Sequence, residues 1–266
     1  MGPHTKTTLM KLSQVGAQLY TVRDHLKDAT VFAKTIDRLK GFGYGAVELI
    51  HSETVSDQQI AGICGAAGVA VAAAHIPGAV ILEHPEAVVE KLKTVGARIG
   101  VYAFPGGVDF GSAKEVERLA DGLEQSAAFL HREGLTLAYH NHALEFARLG
   151  KELIYDVIRS RAPGLAFELD PYWVQYSGMN PERWVQTLGN KLVALHLKDF
   201  GVAPKHGGPP FMTEVGQGNL DFRSLVADAE KGGCRWFIVE QDFTAGDPFD
   251  SLEISFRYVR DELAAS

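Results

Sequence analysis

The chain has 266 residues, of which 46% are hydrophobic and 22% charged, with a formal net charge of −7 at pH 7. That size and apolar content fit one large domain with a proper core. The acidic balance supplies no basic face for phosphate contacts and no apolar run reaches membrane-spanning length, so neither nucleic acid nor a bilayer is expected as a partner. Residues 1–13 contain no apolar signal core and read as a flexible leader, which points to the cytoplasm and leaves 14–266 as the folded domain. The two cysteines, Cys64 and Cys234, are far apart and outside any CxxC pair, so both read as reduced, buried side chains.

From Val15 a short apolar strand runs to Tyr20, with Gln18 near its end. Phe32, Ile36 and Leu39 follow at helical spacing up to the stop at Gly41 and Gly43. The second strand, 46–50, carries Glu48, and a helix marked by Ile60, Ile63 and Ala67 stops at Gly68. The third strand, 69–74, leads into His75. Val88, Val89, Leu92 and Val95 make the next helical stripe, and strand four spans 98–104. A long helix through Val116, Leu123 and Leu130 precedes strand five, 135–139, which ends in His140, Asn141, His142 and then Glu145. Residues 151–160 are helical, and strand six, 165–169, meets Asp170. Strand seven, 192–197, carries His196, strand eight, 236–239, meets Glu240, and Leu252, Phe256, Val259 and Leu263 close the chain on a helix. Eight strands alternating with helices imply parallel pairing through right-handed crossovers, and at this length an α/β fold of the closed (β/α)8 TIM-barrel type in a single domain. A doubly wound open sheet is disfavoured because LYTVRD, after strand one, lacks a glycine-rich phosphate turn. The Gly- and Pro-rich stretch 200–219 is the one long irregular loop, placed to act as a lid or as a contact between copies of the chain.

In such a barrel the strand C-termini carry the chemistry. Here they present Gln18, Glu48, His75, His140, His142, Asp170, His196 and Glu240. Alternation along a strand puts His140 and His142 on one side. Imidazoles and carboxylates converging without thiolates suit a divalent metal of the Mn²⁺, Mg²⁺, Co²⁺ or Zn²⁺ kind, which would polarise a carbonyl while a carboxylate moves a proton on the adjacent carbon. The plainer readings are that Asp170 caps a helix before Pro171, that His196 is a satisfied core histidine, and that Lys198 and Asp199 are a surface ion pair. Glu48 could instead orient a ligand or bond substrate.

The segments GAQLYTVRD, GAVELI, AAAHIP, AYHNHALEF, FELDPYW, ALHLKD, VGQGNLDF and FIVEQD resemble the xylose isomerase-like sugar phosphate isomerase/epimerase barrels over nearly the whole chain. The resemblance implies one divalent ion, manganese first, held by Glu, Asp, His and Glu from strands five to eight. Asp170, His196 and Glu240 match the last three. On strand five this chain has His140 where many relatives have Glu. The nearest carboxylate, Glu145, is then the expected ligand, with His140 and His142 facing substrate; the alternative is a histidine on the metal. Trp173 stands where several epimerases have a substrate-binding histidine. The resemblance thus implies Glu145, Glu240 and His140 as catalytic groups, and Gln18, Glu48, His75, His142, Trp173 and Lys198 as substrate contacts. The expected substrate is a small keto-sugar or polyol, isomerised or epimerised by a protein that could self-associate. The alternatives are a lyase or dehydratase acting on an inosose or 3-keto-sugar by β-elimination, and a non-catalytic sugar-binding barrel.

Overall fold

The computed structural model describes residues 10–265. Eight parallel strands close into a barrel: β1 (Val15–Gln18), β2 (Ala46–Leu49), β3 (Ala70–Ile76), β4 (Ile99–Tyr102), β5 (Thr136–His140), β6 (Ala166–Leu169), β7 (Leu192–Leu197) and β8 (Trp236–Val239). Each pairs with its neighbours in chain order, and β8 returns to β1 with Phe237 opposite Val15. Among the described residues ten α-helices lie between and after the strands: α1 (Ala29–Phe42), α2 (Asp57–Ala67), α3 (Gly78–Glu83), α4 (Pro85–Val95), α5 (Ala113–Arg132), α6 (Ile154–Arg161), α7 (Pro171–Tyr176), α8 (Pro181–Leu188), α9 (Phe222–Gly232) and α10 (Pro248–Tyr258).

Period-two alternation divides each strand between two environments. Leu137 and Tyr139 of β5 join the large core under the helices, whereas Ala138 packs with Ile99, Val101 and Ala166 inside the barrel. That interior is filled by alanine, valine and isoleucine side chains, and a Cβ at Gly16 would come within 2.8 Å of Ile238 Cδ1, the end of a side chain that would have to move aside. Above this apolar floor the inward positions turn polar. Gln18 of β1 sits opposite Glu48 of β2, and His140 of β5 opposite Glu168 of β6. The outer helices supply the apolar counter-face: α5 buries Val116, Leu119, Ala120, Leu123, Ala127 and Leu130, a stripe at three- and four-residue spacing.

Two expectations are corrected. Residues 1–9 of the expected leader lie outside the described residues, but Met10–Lys11 pair in parallel with Ala264–Ala265, and Leu12–Gln14 form a helical turn. The segment 200–219 is irregular only in part: Asp199–Gly201 and Phe211–Thr213 pair antiparallel, with turns and bends between and after them. The organiser is the buried Asp199 carboxylate, which accepts hydrogen bonds from the backbone N–H groups of Phe200, Gly216, Gly218 and Leu220 at 2.8, 2.9, 2.9 and 3.2 Å. Gly218 is required for that approach, since a Cβ would lie 2.3 Å from Asp199 Oδ1. Asp199→Ala strands four donors, so it is expected to lower stability by about 3 kcal/mol in urea denaturation and to open 200–219 to proteolysis. An unchanged midpoint with no new cleavage would refute that role.

Candidate metal centre at the barrel mouth

Both free cysteines are buried, as expected, and burial pushes their thiols up to about 11 (Cys64) and about 12 (Cys234), so neither is a nucleophile. The reactive groups gather instead at the C-terminal ends of the strands. A cavity of about 330 Å³ opens there, its floor formed by His75, His140, His142, Glu240 and Asp242.

Two sets of side chains could hold an ion among the described residues. One is His75, His140, Glu168 and His196; the other is His140, Asp170, His196 and Glu240; in each the ligand atoms lie within 4.8 Å of one another. The first set is already consumed internally. Glu168 Oε1 stands 3.0 Å from His75 Nε2, 3.1 Å from His140 Nδ1 and 3.1 Å from His196 Nε2. Glu48 Oε2 adds a contact to His196 Nε2 at 3.0 Å and accepts from Gln18 Nε2 at 2.7 Å. The second set faces the cavity through His140 and Glu240. Carboxylates that hold one nitrogen of an imidazole and aim the other at a central point are the usual support of metal-ligating histidines.

A cationic group already stands in that second set. The Lys198 ammonium, 1% exposed, lies 2.7 Å from Asp170 Oδ2 and 2.7 Å from Glu240 Oε2. His196 Nδ1 is 2.9 Å from the same Glu240 oxygen and 3.9 Å from Asp170 Oδ2. Two carboxylates turned toward one cation, with two imidazoles beside them, are a donor set that fits a divalent ion of the Mn²⁺, Mg²⁺ or Zn²⁺ kind. Asp170 serves two purposes at once. Its Oδ1 accepts from Tyr172 N at 2.9 Å, capping α7, while Oδ2 turns into the site. Asn141 fixes the turn below it, accepting from Asp170 N at 3.0 Å and donating to Asp170 O at 3.2 Å.

Burial competes with neighbouring charge throughout. It pushes Glu168 and Glu240 up, yet the charges and hydrogen bonds around them prevail and hold both well below the usual carboxylate range: His196 and the other imidazoles for Glu168, Lys198 and His196 for Glu240. Burial would lower His196 and Lys198, but Glu168 and Glu240 for the first, and Asp170, Glu240 and Asp242 for the second, raise them well above their ordinary values. Burial prevails at His140, which is held well below an ordinary histidine, and at His142, lowered to about 4 with Lys198 contributing. It raises Asp242 to about 6 and, with the charge of Glu168, Glu48 to about 7.

Glu145 is the residue the structure does not bring to the centre. Its carboxylate is buried behind β5, accepting from Tyr139 Oη and His142 N at 2.8 Å each. The cause is strand parity: Tyr139 points outward to the helices, and Glu145 closes on that outward side. His140 stands in the cluster of possible ligand atoms instead, in keeping with the alternative of a histidine in place of the glutamate. Gln18 and Glu48 are fully buried beneath the mouth and touch imidazoles rather than the cavity. Trp173 stands behind His142, with ring centroids 5.6 Å apart. Lys198 and Asp199 are not a surface pair; both are buried. Two site residues escaped the sequence reading, Glu168 and Asp242. Each lies two positions from a recognised one, Asp170 and Glu240, where strand parity would have found it.

Glu145→Gln follows from this placement. The amide can accept from His142 N and donate to Tyr139 Oη, so the fold survives and metal content is unchanged. Burial pushes the Glu145 carboxyl up to about 7, above its unfolded value, so the native state binds the extra proton and stability falls as pH rises through that interval. The variant should therefore gain up to about 3 kcal/mol over wild type above pH 7 and nothing near pH 4. Equal denaturation midpoints at pH 8, or lost metal, would contradict it.

No helix among the described residues is long and apolar enough to cross a membrane. No curated protein matches the chain. Among solved structures, a sugar phosphate isomerase/epimerase from Parabacteroides distasonis superposes with a TM-score of 0.76 at 18% identity, covering 93% of this chain and 97% of that one. A xylose isomerase-like TIM barrel protein from Mycobacterium smegmatis in complex with magnesium gives 0.72 at 14% identity, covering 92% and 95%. A probable 3-DHS dehydratase involved in petrobactin synthesis, from Bacillus anthracis, gives 0.71 at 10% identity, covering 93% and 99%. At these identities the likeness is one of fold. The family described as "Xylose isomerase-like TIM barrel" matches residues 36–261, most of the chain, and to that family the protein belongs.

Proposed function

We propose that the protein is a divalent-metal-dependent enzyme that moves a proton on the carbon beside a carbonyl of a small keto-sugar or polyol. The observation that carries this is the convergence of His140, Asp170, His196 and Glu240 within 4.8 Å at the floor of an open cavity, with the Lys198 ammonium between the two carboxylates. An ion held by those four would polarise the carbonyl and make the neighbouring C–H more acidic. The chain's own groups supply the rest. Glu240, held ionised, faces the cavity and is the base. Asp242, raised to about 6, lines the same wall and can return a proton near neutral pH. His142, neutral because burial lowers it to about 4, can bond a sugar hydroxyl without adding charge. Glu48 and Glu168 hold His196 in place.

Glu240 and Asp242 both extend from the end of β8, so a bound sugar meets both carboxyl groups on one face. Removal and return of a proton on one face serve isomerisation between adjacent carbons. The same arrangement favours a second reading, elimination of a hydroxyl from the face that lost the proton. Epimerisation requires a donor on the opposite wall, which only the His140/His142 side could provide. A small sugar is the expected partner, and self-association through 200–219 remains part of the proposal.

The test is solvent exchange. Metal-loaded protein incubated with keto-sugars in D2O should place deuterium beside the carbonyl, in recovered substrate or isomer, or yield an enone if elimination follows. Asp170→Asn should stop the exchange. Exchange unaffected by Asp170→Asn or by chelation would overturn the reading.

A further inference from the structure

Three large aromatic side chains stand exposed around the cavity floor: Phe243 at 75%, Phe104 at 63% and Tyr20 at 40%. A single exposed phenylalanine needs no explanation, but three on one opening do. They come from the loops after β8, β4 and β1, and all three line the same cavity as His75, His140 and Glu240. Because β4 lies across the ring from β8 and β1, Phe104 faces the other two across the mouth. Two of the rings are also held. The edge of Phe104 meets His142, with centroids 5.7 Å apart and planes at 89°. Arg23 lies 4.2 Å over the Tyr20 ring and donates to Tyr20 O at 2.8 Å and Asp242 O at 3.1 Å, tying the β1 loop to the β8 loop. The cavity is therefore divided: a polar, charged floor that suits a sugar, and an aromatic rim that a bare sugar would leave in water.

We infer that the substrate is a glycoside-like keto-sugar carrying an aromatic or flat apolar substituent, with the sugar on the floor and the substituent between Phe104 and the Tyr20–Phe243 side. This rests on the proton-transfer reading for the floor but concerns a different part of the site. Ring–ring contacts and the apolar area they bury would favour an aryl over a methyl substituent by about tenfold or more in affinity. A protein partner seated on the same rings would instead leave small ligands indifferent to their substituent.

The experiment measures binding by calorimetry to the metal-loaded protein, with phenyl and methyl 3-keto-β-glucosides as probes, alongside turnover and sedimentation. Wild type should bind the phenyl compound about tenfold tighter, and Phe104→Ala with Phe243→Ala together should reduce the difference to within about threefold while leaving methyl-compound affinity unchanged. Both positions are exposed, so the pair should fold, and circular dichroism checks that. Equal affinities in wild type, no binding of either probe, or an aryl preference that survives the double substitution would overturn the inference. So would a wild-type oligomer that the substitutions dissociate without altering the aryl preference. An intact aryl preference with neither compound turned over would refute the proton-transfer reading and leave the aromatic subsite standing.

Discussion

Glu240→Gln is expected to bring turnover to background and to lower bound metal in the same preparation. The Glu240 carboxylate meets His196 Nδ1 at 2.9 Å and Lys198 Nζ at 2.7 Å and opens onto the cavity, so in the proposed reaction it would be both a metal donor and the proton acceptor. Removing its charge takes away the base, worth about 10²–10⁴ in rate, and one of only two carboxylates in the donor set. Asp170→Asn should lose metal in the same way but through the other carboxylate. His140→Ala should also weaken metal binding, because the imidazole stands in the ligand set rather than beyond it as a free base. The measurement is metal content by mass spectrometry and kcat on one preparation, with circular dichroism to confirm folding. Full metal content with kcat within about threefold of wild type would remove Glu240 from the mechanism.

The fold was legible because strand and helix periods differ so sharply here. The runs at 192–197 and 236–239 coincide with β7 and β8, and the apolar stripe through Val116, Leu123 and Leu130 is the inner face of α5. The convergence of Asp170, His196 and Glu240 was legible for a related reason: each lies at or near the C-terminal end of a strand, and a barrel brings those ends to one mouth. Glu168 was not, because it sits within β6, where an apolar run hides a lone carboxylate until the strand's parity is counted back from Asp170. Glu145 misled for the converse reason. Proximity along the chain suggested a ligand, whereas the hydroxyl of Tyr139 and the turn at His142 draw it to the outer side of β5. The role of Asp199 depends, beyond its neighbour Phe200, on the backbone groups of Gly216, Gly218 and Leu220 far along the chain, and the sequence carries no local sign of that.

Lys198→Met is expected to separate folding from metal binding. The ammonium is buried against Asp170 and Glu240 at 2.7 Å each and reaches Asp242 at 3.3 Å. One cation thus serves three carboxylates, and burial alone would make each of them hard to ionise. Methionine keeps an unbranched apolar stem, one heavy atom shorter, but removes the charge. In chelator-treated protein the carboxylates then face each other without it, and breaking a buried pair from one side typically destabilises by about 3–5 kcal/mol. A divalent ion would supply the missing charge at the same oxygens without first displacing an ammonium. The variant should therefore melt well below wild type in chelator, bind Mn²⁺ or Mg²⁺ about tenfold more tightly, and recover most of the lost Tm when the ion is added, since binding to the native state alone stabilises it by mass action. Calorimetric titration with each metal, paired with melting curves with and without it, reads both effects. If the variant instead binds metal tenfold more weakly, the lysine supports the ion rather than competing with it, and Asp170 and Glu240 do not need a second cation to be removed before they can coordinate.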